Sequence, residues 1–364
     1  MPDNHVKTRT ISYAEAVREA LCEAGRRDQS VIFMAEGIND PSSVYGTTKD
    51  LIEHCGRNNV IEMPLSENAL TGAAVGAALV GKRPVISFHR VEFALLAIDQ
   101  IVNNAAKAHY ISNGLHKVPL VIRLVVGRGW GQGPEHSQSL EAMFAGFPGL
   151  KVVMPTYPHD AKGLLTAAIE DDNPVIFIEH RWCHYVTGHV PVGYYHEPLS
   201  GPKLVHPGHD VTIVASSYMT LEAVRAAEAL KAIGCSVAVI DMRVLRPLNL
   251  APVLDSVEKT GHLITVDTGW RQFGIGAEIV AEVVDRRFSS LRAAPVRLGM
   301  PDHPTPSSRG LIPNVYPDAE RIARAVGTML DIVPERVESA VADLHEKRSQ
   351  LPIDIPDPFF KGPF

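Results

Sequence analysis

Two stretches of this chain carry side chains that could move protons, and each follows a run that reads as a buried strand. Glu67 closes IEMPLSE and opens a segment of small apolar residues, so it stands where a strand gives way to a helix. Open α/β sheets build their sites at that edge. An acid in the first turn of a helix is also what the macrodipole favours, so Glu67 alone is ambiguous. His136 lies in the glycine-rich stretch GRGWGQGPEHSQS after the apolar run PLVIRLVV. An imidazole in such a loop can give or take a proton, although as one of 16 histidines it reads equally as a surface residue. His89, Arg90 and Phe93 follow PVISF, where substrate contact and ordinary loop solvation are both available readings.

Other patterns say less. GRGWGQG resembles a phosphate-binding GxGxxG but has no acidic residue at the spacing a dinucleotide site needs, and the GIG of FGIGAE is weaker still. His180 and His184 in HRWCH stand four apart without a third metal ligand in view. There is no Walker A sequence and no GxSxG elbow.

The elements that must position these residues alternate between strand and helix. Ser12 with Glu15 forms a capping-box pattern ahead of a helical stripe that Gly25 is expected to stop. Strands are predicted at Val31 to Met34, Val60 to Met63, Pro84 to Phe88, Pro119 to Val126, Lys151 to Met154 and Pro174 to Ile178. Helices are predicted at Asn68 to Val80, Leu95 to Tyr110 and Asp160 to Ile169. Continuous apolar strands argue for a parallel sheet covered on both faces. Residues 186–208, rich in Gly, Pro, His and Tyr, read as a linker. A second α/β unit starts with DVTIVASS, LEAVRAAEALKAIG and CSVAVIDM, and LITVD adds a further strand. After Asp331 comes one more helix, then LPIDIPDPFFKGPF, a proline-rich end expected to be disordered or docked on a partner.

Composition bounds the function. At 364 residues, 45% hydrophobic and 21% charged, the chain is an ordinary globular protein long enough for two domains. A net charge of −6 with scattered basic residues speaks against nucleic acid or an anionic membrane as partner. Cys22, Cys55, Cys183 and Cys235 form no CxxC pair and read as reduced thiols. The polar N-terminus lacks a signal core, and no apolar run approaches the roughly 18 residues of a membrane span. The expectation is a cytoplasmic protein.

Taken together, PLSENALTGAAVGAALVGKRPV, AIDQIVNNAAKAHYISNG, EHSQSLEAMFAGFPGLKVVMPTYPHDAKGLL, IDMRVLRPLN and WRQFGIGAEI resemble the beta subunit of the decarboxylating component of 2-oxoacid dehydrogenases, in the transketolase-like superfamily. The resemblance covers roughly residues 8 to 331. It implies a pyrimidine-binding parallel-sheet α/β domain (8–185), the linker (186–208), a transketolase C-terminal-type α/β domain (209–333) and a C-terminal extension (334–364). It also implies thiamine diphosphate as cofactor. Glu67 would share a proton with N1′ of the aminopyrimidine, Phe93 would stack on that ring, and Leu65, Glu36 and His89 would lie beside it. His136 would handle protons during acyl transfer to lipoamide, and Leu120, Ala168, Asp171 and Asn173 match positions that hold a monovalent cation, K⁺. The chain has no GDG…N motif, so the diphosphate and its Mg²⁺ are expected on an alpha-type partner in an α2β2 assembly, with a lipoyl acyltransferase as a further partner and a small 2-oxoacid as substrate. Family members usually carry Gln or Met at position 89 and an uncharged residue at 90. His89 and Arg90 therefore point to an altered substrate, and keep a two-subunit carboligase, non-oxidative decarboxylase or split transketolase as alternative readings.

Overall fold

The structure, a computed structural model, describes residues 8–40, 44–128, 131–352, 355 and 359–360. Its described residues fall into two compact units, one within Met1–Val126 and Met143–Leu199, the other within Gly127–Ala142 and Ser200–Pro363.

The first unit opens with β1 (Thr8–Ser12) and α1 (Tyr13–Arg27). The capping box forms: the Ser12 amide donates to Glu15 Oε2 at 2.8 Å and the Glu15 amide to Ser12 Oγ at 3.2 Å. Gly25 does not stop the helix, which runs on to Arg27. A Cβ there would lie 2.4 Å from Cys55 Sγ, so the glycine admits a neighbour rather than breaking the helix. Then follow β2 (Val31–Ala35), α2 (Leu51–Cys55), β3 (Val60–Glu62), α3 (Glu67–Leu79) and β4 (Arg83–Phe88). The helix expected over Leu95 to Tyr110 is instead a 3₁₀ segment (Val91–Ala97), a π segment (Gln100–Ala105) and α4 (Ala106–Ile111). These segments pack against α3, where a Cβ on Gly72 would make an ordinary contact with the Gln100 side-chain oxygen at 3.4 Å. The unit continues with β5 (Val121–Val126), α5 (Glu141–Ala145, which leads back from the second unit), β6 (Lys151–Val153), α6 (Pro158–Glu170), β7 (Val175–His180) and β8 (Thr187–Pro191).

Within this unit the strands lie in the order β6-β7-β5-β4-β2-β3, all parallel. Every residue of β2, β5 and β7 is buried, as sheets covered on both faces require. Each fully buried Ile or Leu there, such as Ile122, Leu124 and Ile176, contributes about 1.5–3 kcal/mol. From β2 the chain passes to β3 on one side, and from β4 to β5 on the other. The crevice between the carboxyl ends of β2 and β4 is therefore a topological switch point.

The second unit contains β9 (Lys203–His206), β10 (Val211–Ala215), α7 (Tyr218–Lys231), β11 (Val237–Asp241), β12 (Val244–Arg246), α8 (Ala251–Thr260), β13 (Leu263–Trp270), α9 (Ile275–Arg287), β14 (Val296–Met300), α10 (Ala319–Met329) and α11 (Pro334–Ser349). Its sheet order is β14-β13-β10-β11-β9, parallel except for β9. The stretch 186–208 is not without structure: β8 pairs antiparallel with β1, and β9 edges the second sheet. Beyond α11, Leu351 and Phe359 line a cavity of about 550 Å³ together with Glu222, Arg225 and Ala319. The rest of the proline-rich end, at 353–354, 356–358 and 361–364, lies outside the described residues. All four cysteines are buried and free, and burial pushes the Cys22 thiol up to about 12.

Candidate active site

Carboxylates gather at the switch point. Glu36 follows β2, Glu62 ends β3, and Glu67 opens α3. Glu62 accepts from the amides of Gly37 (2.5 Å) and Asn39 (3.1 Å), shaping the turn after β2. Gly37 itself takes φ +64°, which an L side chain rarely adopts. Glu36 accepts from the Ser66 amide at 3.3 Å, joining the β2 end to the start of α3. Partial burial raises the Glu36 carboxyl above the usual range, and the charge of Glu67 beside it pushes in the same direction. Glu67 is only 7% exposed, yet its carboxylate makes no hydrogen bond or ion pair among the described residues. Leu65, by contrast, is 80% exposed.

From the β4 side come His89, half-buried, Arg90, buried, and Phe93, half-buried in the 3₁₀ segment. The His89 ring faces Gly37, since a Cβ on that glycine would lie 3.5 Å from His89 Cε1. Burial lowers the His89 pKa and Arg90 adds to the effect, while Asp40 opposes it, so this imidazole is held toward its neutral form.

Beneath this edge lies a charged network not anticipated from the sequence. Arg123, in β5, donates to Glu179 Oε1 (2.7 Å), Ser87 Oγ (3.1 Å) and Thr47 Oγ1 (2.8 Å). The other oxygen of Glu179 lies 3.2 Å from His184 Nε2. Burial pushes the Glu179 carboxyl up, but Arg123 and then His184 outweigh it and hold it below the usual range. Arg181 stacks on Tyr45 at 4.6 Å, and the Tyr45 hydroxyl donates to the His89 carbonyl at 3.2 Å. The network thus ties β4, β5 and β7 to the backbone that carries His89. A signal existed: one Arg inside PLVIRLVV and one Glu inside VIFIE are charges in otherwise apolar strands, and such charges are buried only when paired. The same network disposes of a metal pair at His180 and His184. His180 is fully buried, accepts from the Trp182 amide at 3.2 Å and is lowered to about 3 by burial, while His184 serves Glu179.

His136 belongs to the second unit, in the loop within 127–142. It is exposed, and its backbone amide donates to the Gly133 carbonyl at 3.3 Å. The residues after it are anchors: Ser139 Oγ donates to the buried Glu141 at 2.6 Å, and a Cβ on Gly269 would meet Glu141 at 2.8 Å. Of the GxGxxG-like run, Gly129 and Trp130 lie outside the described residues. The GIG segment holds an acid, not a phosphate. The Gly276 amide donates to buried Asp267 at 2.9 Å, and a Cβ on Gly276 would fall 2.7 Å from the same oxygen. Leu120, Ala168, Asp171 and Asn173 come together in the first unit where β5 and β7 begin and α6 ends. Arg83 donates to the carbonyls of Ile169 (3.0 Å) and Asp171 (3.1 Å), Lys151 pairs with the Asp171 carboxylate, and the Leu120 carbonyl accepts from Val175 at 2.9 Å.

A parallel-sheet unit with acids at its switch point, followed by a second α/β unit, is the layout of a transketolase-type protein. Residues 9–183 match the transketolase pyrimidine-binding domain and residues 202–322 the transketolase C-terminal domain. The chain is 39% identical over 330 residues to the mitochondrial pyruvate dehydrogenase E1 component subunit beta of Caenorhabditis elegans, covering 89% of this chain and 93% of that one. It is 38% identical over 327 residues to the acetoin:2,6-dichlorophenolindophenol oxidoreductase subunit beta of Cupriavidus necator, covering 87% and 96%. Among solved structures it is similar to a split gene transketolase described as an inactive beta4 tetramer, with a TM-score of 0.70, 25% identity and coverage of 88% and 99%. The chain belongs to the transketolase-like superfamily of thiamine-diphosphate-dependent enzymes, in the family of pyruvate and acetoin dehydrogenase beta subunits.

Proposed function

We propose that this chain supplies the pyrimidine-binding half of a thiamine-diphosphate site in a cytoplasmic α2β2 2-oxoacid dehydrogenase, and that Glu67 is its proton-sharing group. The observation that carries this is Glu67 itself. A carboxylate at a switch point, mostly buried, beside a second acid and with no protein partner among the described residues, is suited to a donor that arrives with a ligand. A protonated ring nitrogen of an aminopyrimidine is such a donor. When bound, the coenzyme supplies the electron sink that decarboxylation of a 2-oxoacid needs. Glu67 would orient the ring and hold its proton, with Phe93 against the ring face and Glu36 and Leu65 alongside. His89, kept toward neutrality, and Arg90 would set the polarity seen by the substrate. His136 would exchange the proton during acyl transfer to a lipoyl carrier presented by an acyltransferase partner.

The diphosphate and Mg²⁺ fall to an alpha-type subunit, because this sequence has no GDG…N motif. A K⁺ ion would be held at Leu120, Ala168, Asp171 and Asn173, chiefly through carbonyls; the Asp171 carbonyl accepts from Arg83 and keeps a second lone pair for the ion, so potassium is expected to raise the melting temperature more than sodium does.

The test is reconstitution with the alpha-type subunit. Glu67→Gln should lower decarboxylation at least about 100-fold, the range a positioned acid–base group supplies, while the assembly stays intact. Wild-type turnover in that variant ends the reading. His136→Ala should spare decarboxylation with an artificial acceptor and lose acyl transfer to a lipoyl domain.

A further inference from the structure

We propose that His159, Asp160 and Glu197 form a binding site for a divalent first-row transition ion of the zinc class. The three sit where the first turn of α6 meets residues 193–197, and their ligand atoms all lie within 4.8 Å of one another. His159 Nδ1 is 3.3 Å from Asp160 Oδ1 and 3.9 Å from Glu197 Oε1. A tetrahedral ion with bonds of about 2.0–2.2 Å spaces its ligands at about 3.4 Å, so the His159–Asp160 spacing already fits and Glu197 closes on the ion by side-chain rotation.

The ligands are held by surroundings that restrict them. Asp160 is 1% exposed and fixed on the helix. The Tyr195 ring stacks on the His159 ring at 5.1 Å, and its hydroxyl donates to the His159 carbonyl at 2.8 Å. The Glu197 amide donates to the Gly163 carbonyl at 3.0 Å, and a Cβ on Gly163 would lie 2.6 Å from Glu197 Cγ and 2.8 Å from Tyr195 Cε2. A glycine at 163 is therefore what lets Glu197 reach the imidazole. The nearby cation is engaged elsewhere: Lys162 Nζ bonds Glu19 (3.2 Å), Glu23 (3.1 Å) and the Gly193 carbonyl (2.8 Å), which uses its three donors.

One imidazole with two carboxylates suits zinc, cobalt or nickel better than magnesium or calcium, which prefer oxygen alone. The His159 and Glu197 side chains are 33% and 25% exposed, so an ion can enter from solvent and keep a water. The ion would clip α6 to the segment that leads out of the first unit. The competing picture is that His159, Asp160 and Glu197 contact only one another and metal is not bound.

The full-length chain, stripped with a chelator, is titrated with Co²⁺ and then Zn²⁺. The expected result is a visible cobalt absorption saturating at one equivalent per chain, lost on zinc addition, with a melting temperature that rises with zinc concentration. His159→Ala and Glu197→Gln should abolish the cobalt band. Gly163→Ala removes no ligand but should weaken cobalt binding at least tenfold by displacing Glu197. Circular dichroism checks that each variant is folded, and Asp160 is left intact because it is buried. No saturable cobalt band in the wild type overturns the proposal, as does an equal band in His159→Ala and Glu197→Gln.

Discussion

Replacing Glu179 with Gln keeps the shape of the side chain and removes one charge from the interior. Glu179 and Arg123 have side-chain exposures of 0% and 1%, so solvent cannot compensate the guanidinium left behind. Ser87 and Thr47 still accept from it, but neither carries charge. Breaking a buried pair on one side costs about 3–5 kcal/mol, or two to nearly four decades in the unfolding equilibrium at about 1.4 kcal/mol per decade. Domains hold only about 5–15 kcal/mol in total, so the first unit should be close to its limit. The assay is urea denaturation of the full-length chain, followed by circular dichroism, with the midpoint falling and the slope preserved. Arg123→Met should cost a similar amount, and the double variant should cost less than the sum by at least about 1.5 kcal/mol, since close buried charges couple that strongly. A loss under about 1 kcal/mol for Glu179→Gln, or strict additivity in the double variant, would refute the claim that this pair holds the strand ends together.

Other expectations follow from the same contacts. Asp267 is raised to about 7, chiefly by burial and with Glu141 adding to it, from an ordinary 3.8. Its folded pKa is the higher one, so its contribution is complete below about pH 3.8 and is lost as pH rises through about 7, a slope worth on the order of 4 kcal/mol at 1.36 kcal/mol per unit. Asp267→Asn should flatten stability across that window in a pH series of denaturation midpoints, and an unchanged slope would exclude this group as the cause. Glu67→Gln should leave the chain's stability within about 0.5 kcal/mol of wild type or raise it, because no protein partner is lost and Glu36 is relieved of a neighbouring charge. Gly25→Ala gains about 1 kcal/mol of helix propensity but forces a Cβ to within 2.4 Å of Cys55 Sγ. The overpacking cost of about 1–3 kcal/mol should win, and thermal melting should show a lower midpoint.

Much of the layout was legible in the chain itself. Apolar runs marked β2, β4, β5 and β7, and the Ser12–Glu15 pattern marked the start of α1, because both signals are local: burial on two faces and a reciprocal cap each leave their trace within a few residues. Gly25 and the stretch Leu95 to Tyr110 depart from the local expectation for the opposite reason. The glycine faces Cys55, and the 3₁₀ and π segments pack against α3; neither contact is local in the sequence. The place of Glu67 after a strand left it ambiguous between a helix-start acid and a site residue, and the family resemblance gave it a role. Only the folded chain showed that its carboxylate lacks a protein partner while Glu36 crowds it. The pairing of Arg123 with Glu179 belongs wholly to tertiary structure. It depends on the register that sets Ser87 opposite Arg123 and Val125 opposite Glu179. In a parallel sheet a slip of one residue turns each side chain to the other face. A buried charge announces in the sequence that a partner must exist, but the alignment of strands more than 30 residues apart decides which one it is.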